Sequence, residues 1–234
     1  MLSSHYKELY ENYYTDAPDK KRELTAIGTL DHIRSLVGDK KFDSVVDVGA
    51  GRGAVIGLLQ KENFARSITG LEILSSGLER ILARALPNVT AVQFDGYKSE
   101  FPDKTFDLAL SIHVLEHVEH ERLYLKELAR ISRQAVIEVP LELTANCRKV
   151  MAVTGRCGHI NFYQRETFEN ILRTSGLNIR SVVVNTVRRD LDIHMSGRAR
   201  GVLKNVIRST ALRLNERLAR FQFVYLCTAY VDCP

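Results

Sequence analysis

Short apolar runs alternate with amphipathic stretches through most of the chain. Phe42 to Val48 (FDSVVDV) is a brief β-branched run ending in glycines, the pattern of a buried parallel strand. A helix is predicted from Ala54 to Glu62, a strand from Ser67 to Leu71, and a helix from Ser75 to Ala85 that Pro87 stops. Val89 to Phe94 and Phe106 to Ile112 (FDLALSI) read as the third and fourth strands. Glu119 to Ser132 has the spacing of an amphipathic helix, and Ala135 to Val139 reads as a fifth strand stopped by Pro140. Upstream, residues 5–37 read as two helical pieces broken near Pro18, with Leu24, Ile27, Leu30, Ile33 and Leu36 at helical spacing.

After Pro140 the rhythm loosens. Residues 141–162 lack periodicity and predict a long connection. Arg165 to Ser175 reads as a helix capped by Gly176, Ile179 to Val187 as a sixth strand, residues 198–220 as helical, and Phe221 to Val231 as a final strand. Strands alternating with helices imply one α/β domain over residues 1–234, a mostly parallel sheet with helices on both faces.

Composition narrows this picture. Hydrophobic residues make up 45% of 234, enough for a core. No apolar run reaches the roughly 18–20 residues that a membrane span needs. The polar, tyrosine-rich start lacks the basic and apolar regions of a signal peptide, so a cytoplasmic location is expected. The four cysteines form no C-x-x-C pair and are expected to be free thiols, not a zinc site. The net charge of +5 is local: residues 188–220 hold nine Lys/Arg against three Asp/Glu.

Asp47-Val48-Gly49-Ala50-Gly51-Arg52-Gly53 lies where a strand ends and a helix begins, the ligand edge of a parallel sheet. The glycines alone also satisfy a dinucleotide fingerprint. Asp47 separates the readings, because a carboxylate there would repel a pyrophosphate and attract an ammonium group. Glu72, with Ile73, ends the second strand, where it can accept from ribose hydroxyls. Asp95-Gly96 follows the third strand and suits an adenine amino group, and Ser111-Ile112-His113 ends the fourth.

On these residues the chain resembles the class I S-adenosylmethionine (SAM)-dependent methyltransferases, in the broad type 11 small-molecule group. The loop 47–53 resembles the first motif. Glu72, Asp95 and Val114-Leu115-Glu116-His117-Val118 resemble later ones, and Gly158-His159-Ile160-Asn161-Phe162-Tyr163 with Phe168, Leu172 and Gly176 resembles the stretch through the late helix. The likeness covers about residues 40–187. It implies SAM as cofactor, held by Asp47, Gly49, Ala50, Gly51, Gly53, Glu72, Ile73, Asp95, Gly96, Ser111, Ile112 and His113. It also implies a Rossmann-like seven-stranded sheet whose last strand is antiparallel. Residues 1–38 would then form a helical lid, with Tyr6, Tyr10, Tyr13 and Tyr14 closing over the acceptor. Residues 39–140 would be the SAM-binding core, and 141–234 an acceptor-side half with a basic helical insertion at about 188–220.

Histidines supply the candidate chemistry. His113 and His117 sit where a general base would stand, with His117 starting the next helix; His159 and Tyr163 form a second pair across the mouth. H-x-x-E-H is also a zinc-peptidase spacing, but that site needs one helical face and this run begins at a strand end. Ubiquinone-pathway O-methyltransferases resemble the segment, have Glu in place of His113, and are implicated in binding a cation there. With that departure, no metal is expected. The acceptor pocket is expected from residues 5–25, 141–163 and 188–200. The expected reaction is methyl transfer to oxygen or nitrogen of a small-molecule, lipid-linked or nucleotide-linked metabolite. An NAD-dependent oxidoreductase and a SAM-binding protein without catalysis are the alternatives. Residues 198–220 put Val202, Leu203, Val206, Ile207, Leu214, Leu218 and Phe221 on one face within a basic rim. That reads either as a packed face or as a surface for an anionic partner such as a membrane. Nucleic acid is not expected, since no aromatic-interleaved motif appears.

Overall fold

The computed structural model describes residues 20–234. The first expected helical piece and the tyrosine lid lie outside these residues. Helix α1 (Lys20–Val37) leads into β1 (Phe42–Val48), α2 (Ala54–Lys61), β2 (Ala65–Glu72), α3 (Ser75–Ala83), β3 (Val89–Gln93) and β4 (Phe106–Ile112). A single 3₁₀ turn, Leu115–His117, precedes α4 (Glu121–Ile131) and β5 (Ser132–Leu141). The second half holds α5 (Cys147–Thr154), α6 (Arg165–Thr174), β6 (Asn178–Asn185), α7 (Arg189–Ser196), α8 (Arg198–Leu214), α9 (Glu216–Gln222) and β7 (Tyr225–Asp232).

The seven strands form one sheet in the order β3-β2-β1-β4-β5-β7-β6. All pairs are parallel except those of β7, which runs antiparallel to both β5 and β6. The sheet is covered on both faces, as its alternating side chains require. Val46, Val48, Ala109 and Ile137 enter one core with Tyr124, Leu128 and Phe168. Val45, Leu108, Leu110 and Val136 enter the other with Leu30, Ile33, Ile56 and Leu59. The strand order turns between β1 and β4, and a crevice opens at the carboxyl ends of such neighbours. The glycine loop and His113 meet there.

Three expectations are corrected. The fifth strand does not stop at Pro140 but continues to Leu141. The amide of Pro140 faces the β4 side, where pairing has already ended at Ile112 with Glu138, so its missing N–H removes no ladder bond. Residues 141–162 contain helix α5 as well as loop. The helical stretch expected at 198–220 is two helices, α8 and α9, because Asn215 (φ −156°) breaks it and its side chain caps α9 by accepting from the Leu218 amide at 3.0 Å.

Candidate active site

The loop after β1 is folded against the end of β2. The Gly49 and Ala50 amides donate to the Leu71 carbonyl at 2.8 and 3.0 Å. Gly49, Gly51 and Gly53 have φ of 81°, 57° and 70°, the region glycine enters without steric cost. At Gly49 a Cβ would also lie 2.5 Å from Val114, so no side chain fits.

Glu72 fastens this loop. Its Oε2 accepts from the Gly51 amide at 2.7 Å, and its Oε1 accepts from the Ile73 and Leu74 amides at 3.0 Å each. Burial raises its pKa, against the pull of those three amides. Asp47 is buried beside it. Burial and then the Glu72 charge push the Asp47 carboxyl up to about 7. Asp95 is exposed and caps its own turn, with Oδ1 accepting from the Tyr97 and Lys98 amides at 2.8 and 2.7 Å.

These groups line a cavity of about 540 Å³. One end holds Asp47, Gly49, Ala50, Gly51, Glu72, Ile73, Asp95 and Gly96; the other holds Ile112, His113, Glu116, His117 and His159. Helix α1 contributes Lys21, Arg22, Thr25, Ala26 and Thr29 to the wall. Four expected residues or segments do not line it. Gly53 is the cap of α2, where a Cβ would press on Ile81 at 3.0 Å. The Ser111 hydroxyl lies behind the wall, 2.7 Å from the Tyr124 hydroxyl. Tyr163 is buried beneath the 3₁₀ turn, its hydroxyl bonded to the Leu115 carbonyl and the Glu121 carboxylate, so it holds the turn and does not line the cavity. Residues 188–200 pack against α1 instead, through Arg188 on Asp31 at 2.5 Å.

His113 sits at φ 54°, a left-handed conformation that costs a residue with a Cβ about 1 kcal/mol or more. Its Nε2 lies 3.4 Å from Glu138 Oε1 and its Nδ1 3.3 Å from Glu116 Oε1. Burial pulls this imidazole down, but the two carboxylates outweigh it and hold its pKa up at about 10. Clamped between two carboxylates, this ring is held in its charged form, which disfavours it as a proton acceptor. Glu138 is the hub beneath it. It also receives the Thr29 hydroxyl at 3.2 Å and the Thr228 hydroxyl at 2.7 Å, and lies 2.7 Å from His32 Nδ1.

His117 belongs to the 3₁₀ turn rather than to a helix start. Its Nδ1 lies 3.0 Å from the Gly158 carbonyl, and burial pushes its pKa below the usual range. His159 Nδ1 lies 2.9 Å from Glu142 Oε2, and the two histidine rings meet edge to face at 4.7 Å. Glu116, His117 and His159 bring three ligand atoms within 4.8 Å of one another. Glu116 Oε1 is paired with His113 Nδ1 at 3.3 Å, while its Oε2 is buried with no hydrogen-bond partner among the described residues. This trio could hold a divalent cation. Glu138 and Glu142 were missed by sequence reasoning. The signal was a carboxylate inside the apolar run VIEVPLE.

A family profile described as a methyltransferase domain matches residues 20–182. The chain belongs to this family, the class I SAM-dependent methyltransferases. A relative in Synechocystis, 2-methyl-6-phytyl-1,4-hydroquinone methyltransferase, is 31% identical over 98 residues, 41% of this chain and 30% of that protein. Ubiquinone biosynthesis O-methyltransferase of Rickettsia bellii is 28% identical over 105 residues, 43% of this chain and 42% of that protein. The chain thus aligns with less than half the length of these relatives. The fold matches a geranyl diphosphate methyltransferase solved with SAM, with a TM-score of 0.67, 15% identity, and coverage of 94% of this chain and 93% of that one. For a member of this family the NAD reading of the glycine loop falls away.

Proposed function

We propose that this methyltransferase moves the SAM methyl group to an oxygen of a small, largely apolar acceptor. One observation carries the reading: a single cavity joins a paired-carboxylate floor at Asp47 and Glu72 to a histidine-lined end at His117 and His159. The residues present fit the cofactor. Two neighbouring buried carboxylates, one held up near neutral pH by burial and then by the charge of the other, suit a ligand that brings positive charge. Asp47 would face the ammonium group, Glu72 the ribose hydroxyls and Asp95 the adenine amino group. SAM supplies an activated methyl group, so the protein's task is alignment and exclusion of water.

At the other end, His117 is held by the Gly158 carbonyl and His159 by Glu142, so both rings are fixed before an acceptor arrives. A hydroxyl acceptor must lose its proton, and His117 or His159 would take it. The names of the two relatives, a hydroquinone methyltransferase and an O-methyltransferase of ubiquinone biosynthesis, support a lipid-linked ring hydroxyl as the acceptor. The cysteines of such an enzyme, two buried and two accessible, are all free, which suits the reducing cytoplasm.

Methyl-labelled SAM with a panel of hydroquinones, catechols and amines tests the reading. Label is expected on hydroxyl-bearing acceptors; label on amines alone would refute the oxygen assignment. A second reading of the histidine end rests on the gathering of the buried Glu116 carboxylate with His117 and His159, which together would bind a cation that ionises the hydroxyl directly. Exhaustive chelation separates the two. Retained activity supports a histidine base, whereas loss that added zinc or magnesium restores supports the cation.

A further inference from the structure

Helix α8 is built inside out. The side facing the protein carries Gly201, Asn205 and Arg208, all buried. Gly201 is required there, because a Cβ would lie 2.4 Å from the Ile193 Cα of α7. Asn205 donates to the Val187 carbonyl at 3.0 Å and to Asp192 at 3.2 Å. Arg208 bonds the Val224 carbonyl and lies 3.7 Å from Asp192, while Lys204 reaches the same carboxylate at 2.9 Å. At about 100° per residue, Leu203, Val206, Ile207 and Leu214 fall in one stripe on the opposite side. They are 61%, 44%, 47% and 81% exposed. Leu218 and Phe221 of α9 are exposed as well, at 65% and 59%. A surface helix normally shows the reverse arrangement.

The charges complement this stripe. By the same helical spacing Arg200 flanks it on one side and Arg213 on the other. Arg198, Arg200, Arg213 and Arg217 are exposed and form no ion pair with another described residue. We propose that α8 and α9 form a docking surface for an anionic phospholipid bilayer. The leucines, Val206, Ile207 and Phe221 enter the acyl boundary, and the arginines reach back to headgroup phosphates. A second copy of the chain is a poor occupant, since its arginines would face these. No helix among the described residues is long and apolar enough to cross a membrane, so contact is with the surface. The use of this contact, presenting a lipid-linked acceptor, rests on the proposed function; the binding itself does not.

The test is vesicle flotation of the full chain, with phosphatidylcholine alone and with phosphatidylglycerol added. Binding is expected only with the anionic lipid, weakening as salt rises. The variant Leu203→Glu/Leu214→Glu should reduce binding about tenfold or more, since two apolar side chains can no longer be buried. Arg200→Glu/Arg213→Glu should do the same. Both variants should keep wild-type circular dichroism and wild-type binding of S-adenosylhomocysteine, because they touch neither core nor cavity. That readout also separates failure of docking from failure of the methyl-transfer reading. Equal flotation with both lipids, no flotation, or unchanged binding by the Leu203→Glu/Leu214→Glu variant would overturn the proposal. So would a wild-type dimer in light scattering that this variant dissociates.

Discussion

At the scale of single residues, Asp47 and Glu72 decide what the glycine loop can hold. Asp47 titrates near 7 because burial and its acidic neighbour both oppose its charge. A cationic ligand favours the ionised form, so ligand binding releases a proton when Asp47 begins protonated. Affinity for S-adenosylhomocysteine, which keeps the ammonium group, should therefore fall as pH drops below about 7. The Asp47→Asn variant should bind more weakly and lose that pH dependence; calorimetry across pH 6–8 checks both. The same shift affects folding with the opposite sign. A carboxyl whose folded pKa is raised costs stability as pH rises from its unfolded value of 3.8 to about 7, so the ligand-free protein loses stability through that window. Glu72→Ala should weaken ligand binding by about 1–3 kcal/mol through loss of a charged acceptor. It should also lower the melting temperature, because the Gly51, Ile73 and Leu74 amides lose their shared partner.

At the scale of elements, the network around Glu138 ties the N-terminal helix to the sheet and the acceptor end. Thr29 and His32 come from α1, Thr228 from β7 and His113 from the end of β4. Glu138→Ala removes the shared partner, leaving His32 without its carboxylate and His113 with Glu116 alone. The expected cost is about 3–5 kcal/mol, read by chemical denaturation, with Glu138→Gln recovering part of it. Individual elements were largely legible in the chain. The β1 and β4 bounds match the short apolar runs FDSVVDV and FDLALSI, the first β-branched and closed by glycines. What was not legible depended on tertiary neighbours. Pro140 looks like a strand stop unless one knows that β4 has already ended beside it. Residues 198–220 show one apolar face in sequence, but periodicity cannot say which face meets the protein. Asn205 and Arg208 point inward because Asp192 and the Val187 and Val224 carbonyls wait there.

At the scale of the whole molecule, the alternation of strands and helices was enough to imply a doubly covered parallel sheet, and the late apolar run supplied its antiparallel strand. Asp47, Glu72 and Asp95, readable in sequence at successive strand ends, are brought together along one end of the cavity. The acceptor end was not readable in this way. His113 reads as a base in sequence, and the structure sets it between two carboxylates, Glu116 and, from another strand, Glu138. Tyr163 reads as a pocket residue and proves to be a prop for the turn. Residues gathered from distant segments leave no spacing to recognise. The central claim is that the cavity above β1 and β4 holds SAM and leaves room for an acceptor beside it. Isothermal titration of the full chain with S-adenosylhomocysteine, with NAD as the control, tests it most directly. Saturable binding of S-adenosylhomocysteine with none of NAD is the predicted result; no heat from S-adenosylhomocysteine at millimolar concentration would contradict it.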